Sequence, residues 1–480
     1  MFNRQRIAEI IDQKRELFTH VSDRIWEYAE TRFEEVRSAQ LVCKTLEAEG
    51  FHVEKGIAGI ETAFVGTYGS GGPVVAILGE YDALSGLSQE RGYATHQPIE
   101  AGGNGHGCGH NLLGAGALAA AVAVRHYLEE NQIEATVRYY GCPAEEGGSG
   151  KAFMAREGAF DDVDFAICWH PMTFNTLMSI SSLANYQVYF KFKGKAAHAA
   201  VAPHLGRSAL DAVELMNIGV NFLREHVISE ARIHYAITNT GGFSPNVVQS
   251  EADVLYLIRA PMTQQVEEIY QRVYRIARGA ALMTETSVDV IFDKACSNLI
   301  PNQTLERVMH SNFSELGVPE FDAAEREFAR QIRTTIPESD KKNELQMISN
   351  LLGEAGKGYP PHLNEQEFST VLLPLLEAAK PLAVSTDVGD VSWITPTVQC
   401  YTTCFAMGTQ LHSWQAVAQG GTSIGHKGML HAGKVMAATA VEVLLSPEII
   451  AEAKAELEEK LEGAKYVCPI PADIKPAARR

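Results

Sequence analysis

Three short apolar runs constrain this chain most, because each ends in a residue able to do chemistry. Residues 73–78 run into Gly79-Glu80-Tyr81-Asp82, residues 135–142 into Pro143-Ala144-Glu145-Glu146, and residues 163–169 into His170-Pro171. All three read as strands, and the first, a continuous apolar run, is expected of a strand buried on both faces. Between the first two lies a longer Ala/Leu/Gly-rich stretch, 114–124, which reads as a buried helix. Strands alternating with helices predict an α/β fold: a mixed, largely parallel sheet flanked by helices. In such sheets ligands collect beyond the carboxyl ends of the strands, where Asp82, Glu145, Glu146 and His170 fall.

The stretch 114–124 is preceded by NGHGCGHNLL, residues 104–113. That motif places His106, Cys108 and His110 within five residues, among glycines that allow a tight turn. Thiolate and imidazole are ligands for late divalent metals. Alone, a C-x-H pattern is weak. Together with Glu146, His170 and, from the C-terminal half, His426, the donors Cys108 and His110 are too many for one catalytic zinc. They fit two adjacent divalent cations with positions open to water, equipment for hydrolysing an amide or ester. Read as an extended segment, Glu145 and Glu146 point in opposite directions. Glu146 then serves as ligand and Glu145 as general base, afterwards acid.

The rest of the chain is organised around that layer. Apolar positions at helical spacing predict one amphipathic helix over 7–28 and a second over 35–49. At residue 183 the pattern changes. An alternating strand (185–193), a helix (208–226), two strands (233–238, 253–258), a helix (266–282) and a strand (287–292) follow. The order β-α-β-β-α-β is the ferredoxin-like one, so 183–295 reads as an inserted α+β lid domain. The catalytic domain then comprises 1–182 and 296–480. Residues 320–380 are charged and helix-prone and read as a peripheral elaboration. STDVGDVSW (385–393) and GGTSIGHKGMLH (420–431) return to the catalytic layer.

Charge excludes two classes of partner. With 41 basic against 59 acidic residues the formal charge is −18, which argues against nucleic acid and against an anionic membrane. No run approaches the roughly 18 apolar residues of a membrane span, and residues 1–18 lack an export-signal pattern. The eight scattered cysteines read as thiols in a reducing compartment, so a cytoplasmic location is expected.

GEYDAL, HGCGH, PAEEGG, WHP, GKAAHAA and GHKG, in this order, resemble the M20 family of metallopeptidases and amidohydrolases, and within it the subfamily with a cysteine ligand in HxCGH. The resemblance implies a dinuclear catalytic domain with a lid that dimerises, either with itself or with a related A-type subunit. Cys108, His110, Glu146, His170 and His426 match metal ligands, Glu145 the acid/base and Asp82 a residue orienting a ligand histidine. His198 of GKAAHAA matches a lid histidine that reaches a neighbouring active site and steadies the oxyanion. Asn246 and Arg259 match lid positions that hold substrate. Softness favours Zn2+, the resemblance Mn2+.

Three departures from the family pattern stand out. Asn111 replaces an aspartate, and Glu80 stands where distant relatives have a histidine ligand. VGDVS leaves Asp390 as the first counterpart of a familiar acidic residue and Asp387 as the second. The expected activity is metal-dependent cleavage of a small N-acyl or N-aroyl amino acid. The alternatives are a dipeptidase or deacylase of the same family, or a non-catalytic partner subunit.

Overall fold

The computed structural model describes residues 2–177, 179–352, 365–375 and 381–478. Among them a seven-stranded sheet runs in the order His52–Lys55, Phe64–Tyr68, Thr136–Cys142, Val74–Glu80, Phe165–Met172, Thr397–Thr403, Thr176–Leu177. The four strands from Thr136–Cys142 to Thr397–Thr403 are mutually parallel, and the outer pairings are antiparallel. The expected α/β layer is therefore present. An unexpected strand, Thr397–Thr403, lies beside Phe165–Met172 and adds a fourth carboxyl end to the same edge.

Two long helices, His110–Asn131 and Ser423–Leu444, pack against this sheet and against each other. The alanine-rich stretch of the first is wholly buried, and two of its glycines set how closely it lies. A Cβ on Gly114 would come 2.6 Å from Glu80 O, and one on Gly116 would come 2.7 Å from the Trp169 ring. Only glycine permits that approach, and it seats His110 directly over the end of strand Val74–Glu80. The N-terminal region forms two helices rather than the single one expected over 7–28. Arg4–Gln13 and Arg15–Tyr28 meet at Lys14, whose backbone leaves the helical region and whose Nζ is 2.8 Å from Glu49 Oε1.

A second, four-stranded sheet has the order Ser287–Cys296, Ala184–Lys193, Glu251–Ala260, Arg232–Asn239, antiparallel throughout. With helices Ala209–Leu223 and Thr263–Thr284 packed on it, this is the ferredoxin-like arrangement. Alternation along Glu251–Ala260 explains the packing, since every second residue is buried.

The segment expected to be peripheral is tied into the catalytic layer, although 353–364 and 376–380 of it lie outside the described residues. Phe321 and Phe368 stack at 3.9 Å. On helix Glu338–Leu352, the buried Glu344 accepts hydrogen bonds from Thr173 Oγ1 and, at 2.5 Å, from Gly408 N. It thereby braces the loops that follow two central strands. Burial lifts its carboxyl to about 7. The folded chain then holds a proton that the unfolded chain has already released, so stability falls as pH rises from about 4.5 to 7. Glu344→Gln removes this liability. Relative to wild type it should gain up to about 3 kcal/mol between pH 5 and pH 8, seen as a growing difference in Tm. A pH-independent difference would show that Glu344 stays charged throughout.

Candidate metal centre and its pocket

Asp82 lies two residues beyond strand Val74–Glu80 and faces the first turn of helix His110–Asn131. Its Oδ1 is 2.8 Å from His110 Nδ1, and its Oδ2 accepts from Glu146 N at 2.9 Å. The first contact holds a proton on Nδ1 and leaves His110 Nε2 as the outward face of the ring. At the next strand end, His170 Nδ1 donates to Pro171 O at 2.9 Å, and its Nε2 is 3.4 Å from Cys108 Sγ. A carbonyl can only accept, so His170 too presents a lone pair at Nε2.

Three overlapping groups converge here, each with ligand atoms within 4.8 Å of one another: Cys108, His110 and His170; Cys108, Glu146 and His412; Glu80, His110 and Glu145. Two buried atoms in the cluster, His110 Nε2 and Glu146 Oε1, make no hydrogen bond. His412 comes from the loop after strand Thr397–Thr403. Its φ of +60° is left-handed, a conformation that non-glycine residues rarely adopt, and its backbone N donates to Gly107 O at 2.8 Å. The kinked loop brings His412 Nε2 to 3.3 Å from Glu146 Oε1.

His426 is set apart from this cluster. It occupies the first turn of helix Ser423–Leu444, and its Nε2 lies 3.1 Å from Asp23 Oδ1. The structure leaves His426, expected as the fifth donor, outside this cluster and brings His412 into it. The helix direction turns His426 toward the N-terminal helices, whereas the loop at a strand end points His412 into the site. His106 bonds Ile25 O at 2.9 Å, and Asn111 bonds Ser22 Oγ and Gly420 O. Both are structural.

The acidic pair is also arranged differently. Glu145–Gly148 is a single helical turn entered through Ala144, whose φ is +59°, so the two side chains do not alternate as on a strand. Both line one cavity, and their neighbours divide them: Glu146 meets Cys108 and His412, Glu145 meets His110 and Glu80. The turn is clamped by a residue that sequence reasoning missed. Buried Glu35 accepts from Ala144 N at 2.9 Å, Phe33 N at 3.0 Å and Thr62 Oγ1 at 3.1 Å. A lone glutamate distant in sequence carried no signal of that task.

Electrostatics mark the cluster as a place for cations. The neighbouring Cys108 thiol and then the Glu146 carboxylate hold the His412 imidazole up to about 11. Burial opposes charge on Glu146, but His412 and His110 outweigh it and hold the carboxyl down to about 2. Burial, with His110 nearby, pushes His170 down to about 4, so it stays neutral and free to donate a lone pair. Burial, then the charges of Glu80 and Glu146, raise Glu145 well above the carboxylate range. Thiolate, imidazole and carboxylate donors facing one another, with unsatisfied buried atoms among them, fit divalent transition-metal cations.

Glu80 is already engaged. Its Oε1 lies 2.5 Å from Lys151 Nζ, which is 2.6 Å from Asp387 Oδ1, and all three side chains are buried. Its Oε2 lies 3.3 Å from His110 Nε2. Asp387, rather than Asp390, is thus the acidic residue linked to the site. Asp390 is held by Ser297 Oγ at 2.8 Å and Tyr466 Oη at 2.9 Å.

The cluster opens into a cavity of about 370 Å³, within the range of small-molecule sites. Its lining includes the apolar or aromatic Met172, Phe174, Leu177, Ile180 and Tyr401 and, from the four-stranded sheet, Asn185, Arg259 and Lys294. His198 and Asn246 are absent from that lining. They lie together on an exposed part of the lid, where His198 bridges Val247 and Ala199 N donates to Asn246 O at 2.9 Å.

Comparison with known proteins agrees with this fold. The description of peptidase family M20/M25/M40 matches residues 76–469, and the chain belongs to that family and is a hydrolase. It is 52% identical over 471 residues to the B-type subunit of p-aminobenzoyl-glutamate hydrolase from Escherichia coli (strain K12), covering 98% of each chain. It is 28% identical over 474 residues to the Xaa-Arg dipeptidase of Mus musculus, covering 96% of this chain and 93% of the relative. A dinuclear metal-binding peptidase of the M20 family from Bacillus subtilis shares the fold, with a TM-score of 0.54 at 16% identity, over 91% of this chain and 99% of its own.

Proposed function

We propose that this chain hydrolyses the amide bond of an N-aroyl amino acid, with p-aminobenzoyl-glutamate as substrate and p-aminobenzoate and glutamate as products. The observation that carries the reading is one cavity that joins the donor cluster, apolar and aromatic side chains and cations of the lid. The apolar and aromatic lining suits an arene and the cations suit carboxylates. The same cations disfavour a basic side chain in this pocket. The likeness to the Escherichia coli hydrolase supports the substrate.

Cys108, His110, Glu146, His170 and His412 would hold two divalent cations, Mn2+ or Zn2+, and the Bacillus subtilis relative supports the number. Bound there, the cations would polarise the amide carbonyl and acidify a water molecule. Glu145, on the cavity wall beside His110, takes the proton of the attacking water and passes it to the departing amine. Asp82 keeps the ring of His110 and the backbone of Glu146 in register through its two oxygens. Arg259 pairs with the substrate carboxylate.

The lid, residues 183–295, serves in assembly. His198 and Asn246 act on the site of a neighbouring protomer, either a second copy or a related A-type chain. That the Escherichia coli relative is named as the B-type subunit of its enzyme supports the latter. All eight cysteines are free, which supports a cytoplasmic setting, and no described helix is long and apolar enough to cross a membrane.

The test is product release from a panel of N-acyl and N-aroyl amino acids by the chain alone, with and without Mn2+, alongside metal analysis. Metal-dependent turnover that favours N-aroyl-glutamate is expected. Turnover appearing only on adding a second kind of chain, with no metal bound to this one, would overturn the reading.

A further inference from the structure

The last lid strand, Ser287–Cys296, breaks register where it faces the cavity. Against Ala184–Lys193 it pairs Phe292 with Val188 and then Lys294 with Gln187, so Asp293 is an extra residue, a β-bulge. Bulges re-aim side chains, often next to active sites. Here Asp293 turns to Arg32, at 2.9 and 3.0 Å, and to Gln187 Nε2 at 2.7 Å. Lys294 turns into the cavity, where it is 8% exposed.

The register also places Lys294 relative to Arg259. Lys294 lies opposite Gln187 and Arg259 lies opposite Asn185. Gln187 and Asn185 are two apart on one strand, and residues directly opposite one another share a face. Both cations therefore leave the same face of the lid sheet. Two strand spacings across and two residues along put their backbones about 12 Å apart, and both side chains line the cavity with Asn185 between them.

Among the described residues neither cation forms an ion pair with a carboxylate. Among the described residues, Lys294 makes its hydrogen bond to a backbone carbonyl, Glu146 O at 3.1 Å, and pairs with no carboxylate. Arg259 Nε is buried with no hydrogen-bond partner, as is Asn185 Oδ1. A buried ammonium without a counter-charge is costly unless a ligand supplies one. Two unpaired cations, spaced for two separate carboxylates, are more than a single α-carboxylate needs.

We propose that Lys294 is a specificity-determining residue that binds the side-chain carboxylate of the substrate's amino acid. With Arg259 on the α-carboxylate, it makes the site select acyl conjugates of acidic amino acids. The proposal rests on the amidohydrolase reading above and adds the origin of its choice of amino acid. The glutamate conjugate places one carboxylate on each cation; a glutamine conjugate has the same shape but leaves Lys294 facing a neutral amide.

The test compares kcat/KM for N-benzoyl-glutamate with that for N-benzoyl-glutamine in wild type, Lys294→Met and Lys294→Arg. Lys294→Met should lower the glutamate-to-glutamine ratio by about 10- to 100-fold, as for a lost hydrogen bond to a charged group, chiefly through KM. Lys294→Arg should restore most of it. A ratio unchanged in Lys294→Met overturns the proposal whether or not the overall rate falls, because a residue that merely props the Glu146 backbone affects both substrates alike. If wild type hydrolyses neither compound, the amidohydrolase reading fails. Calorimetric binding of the same two compounds then reads the Lys294 proposal by itself: a preference for the diacid lost in Lys294→Met supports it, and equal binding to both proteins overturns it.

Discussion

Glu145→Gln should leave the chain folded and its metal content unchanged while lowering kcat by about 100- to 10,000-fold, the span attributed to a positioned acid or base. The amide keeps the shape of the carboxylate and removes its basic oxygen. Position argues for the size of the effect. The carboxylate lies within 4.8 Å of His110 and Glu80, on the wall of the cavity, and the Glu35 clamp on Ala144 N holds the turn that carries it. Burial and the flanking carboxylates already raise its proton affinity well above that of a free glutamate, which suits a group that must accept a proton and then return it. Circular dichroism and metal analysis separate this outcome from misfolding. A near-normal kcat in a metal-loaded Glu145→Gln protein would remove Glu145 from the chemistry.

The second large effect separates two histidines. His412→Ala should lose about one metal ion per chain and at least about 100-fold in activity, since even groups that only orient ligands cost 10- to 100-fold. His426→Ala should keep both the metal content and most of the activity. Its side chain meets Asp23 at 3.1 Å near the surface, a pair whose loss costs about 1 kcal/mol or less. Elemental analysis of the two purified variants decides the matter. Metal lost from His426→Ala and retained in His412→Ala would restore His426 to the ligand set.

These two residues show where sequence reasoning stops. His426 sits in the motif-like GHKG, whereas His412 sits in Thr409-Gln410-Leu411-His412-Ser413 with nothing local to single it out. Its qualification is positional. It follows strand Thr397–Thr403, which enters the sheet next to Phe165–Met172, and the left-handed backbone at His412 aims the ring inward. The apolar strand TVQCYTT was visible in principle, and recognising it would have pointed to the loop beyond it. The exchange of Asp390 for Asp387 has the same origin, since the two are three residues apart and only the position of Lys151 Nζ distinguishes them.

The alternation of strands and helices, and four of the residues that meet in the cluster, Cys108, His110, Glu146 and His170, were legible in the chain. They are local: strand periodicity and donor chemistry are written in neighbouring residues. The arrival of His412, the shared cavity of Glu145 and Glu146, the Glu35 clamp, the close helix packing at Gly114 and Gly116 and the bulge that aims Lys294 were not. Each depends on where a distant segment crosses the site or on a single backbone angle. Such angles and crossings follow from the packing of the whole chain, and no local run of residues encodes them.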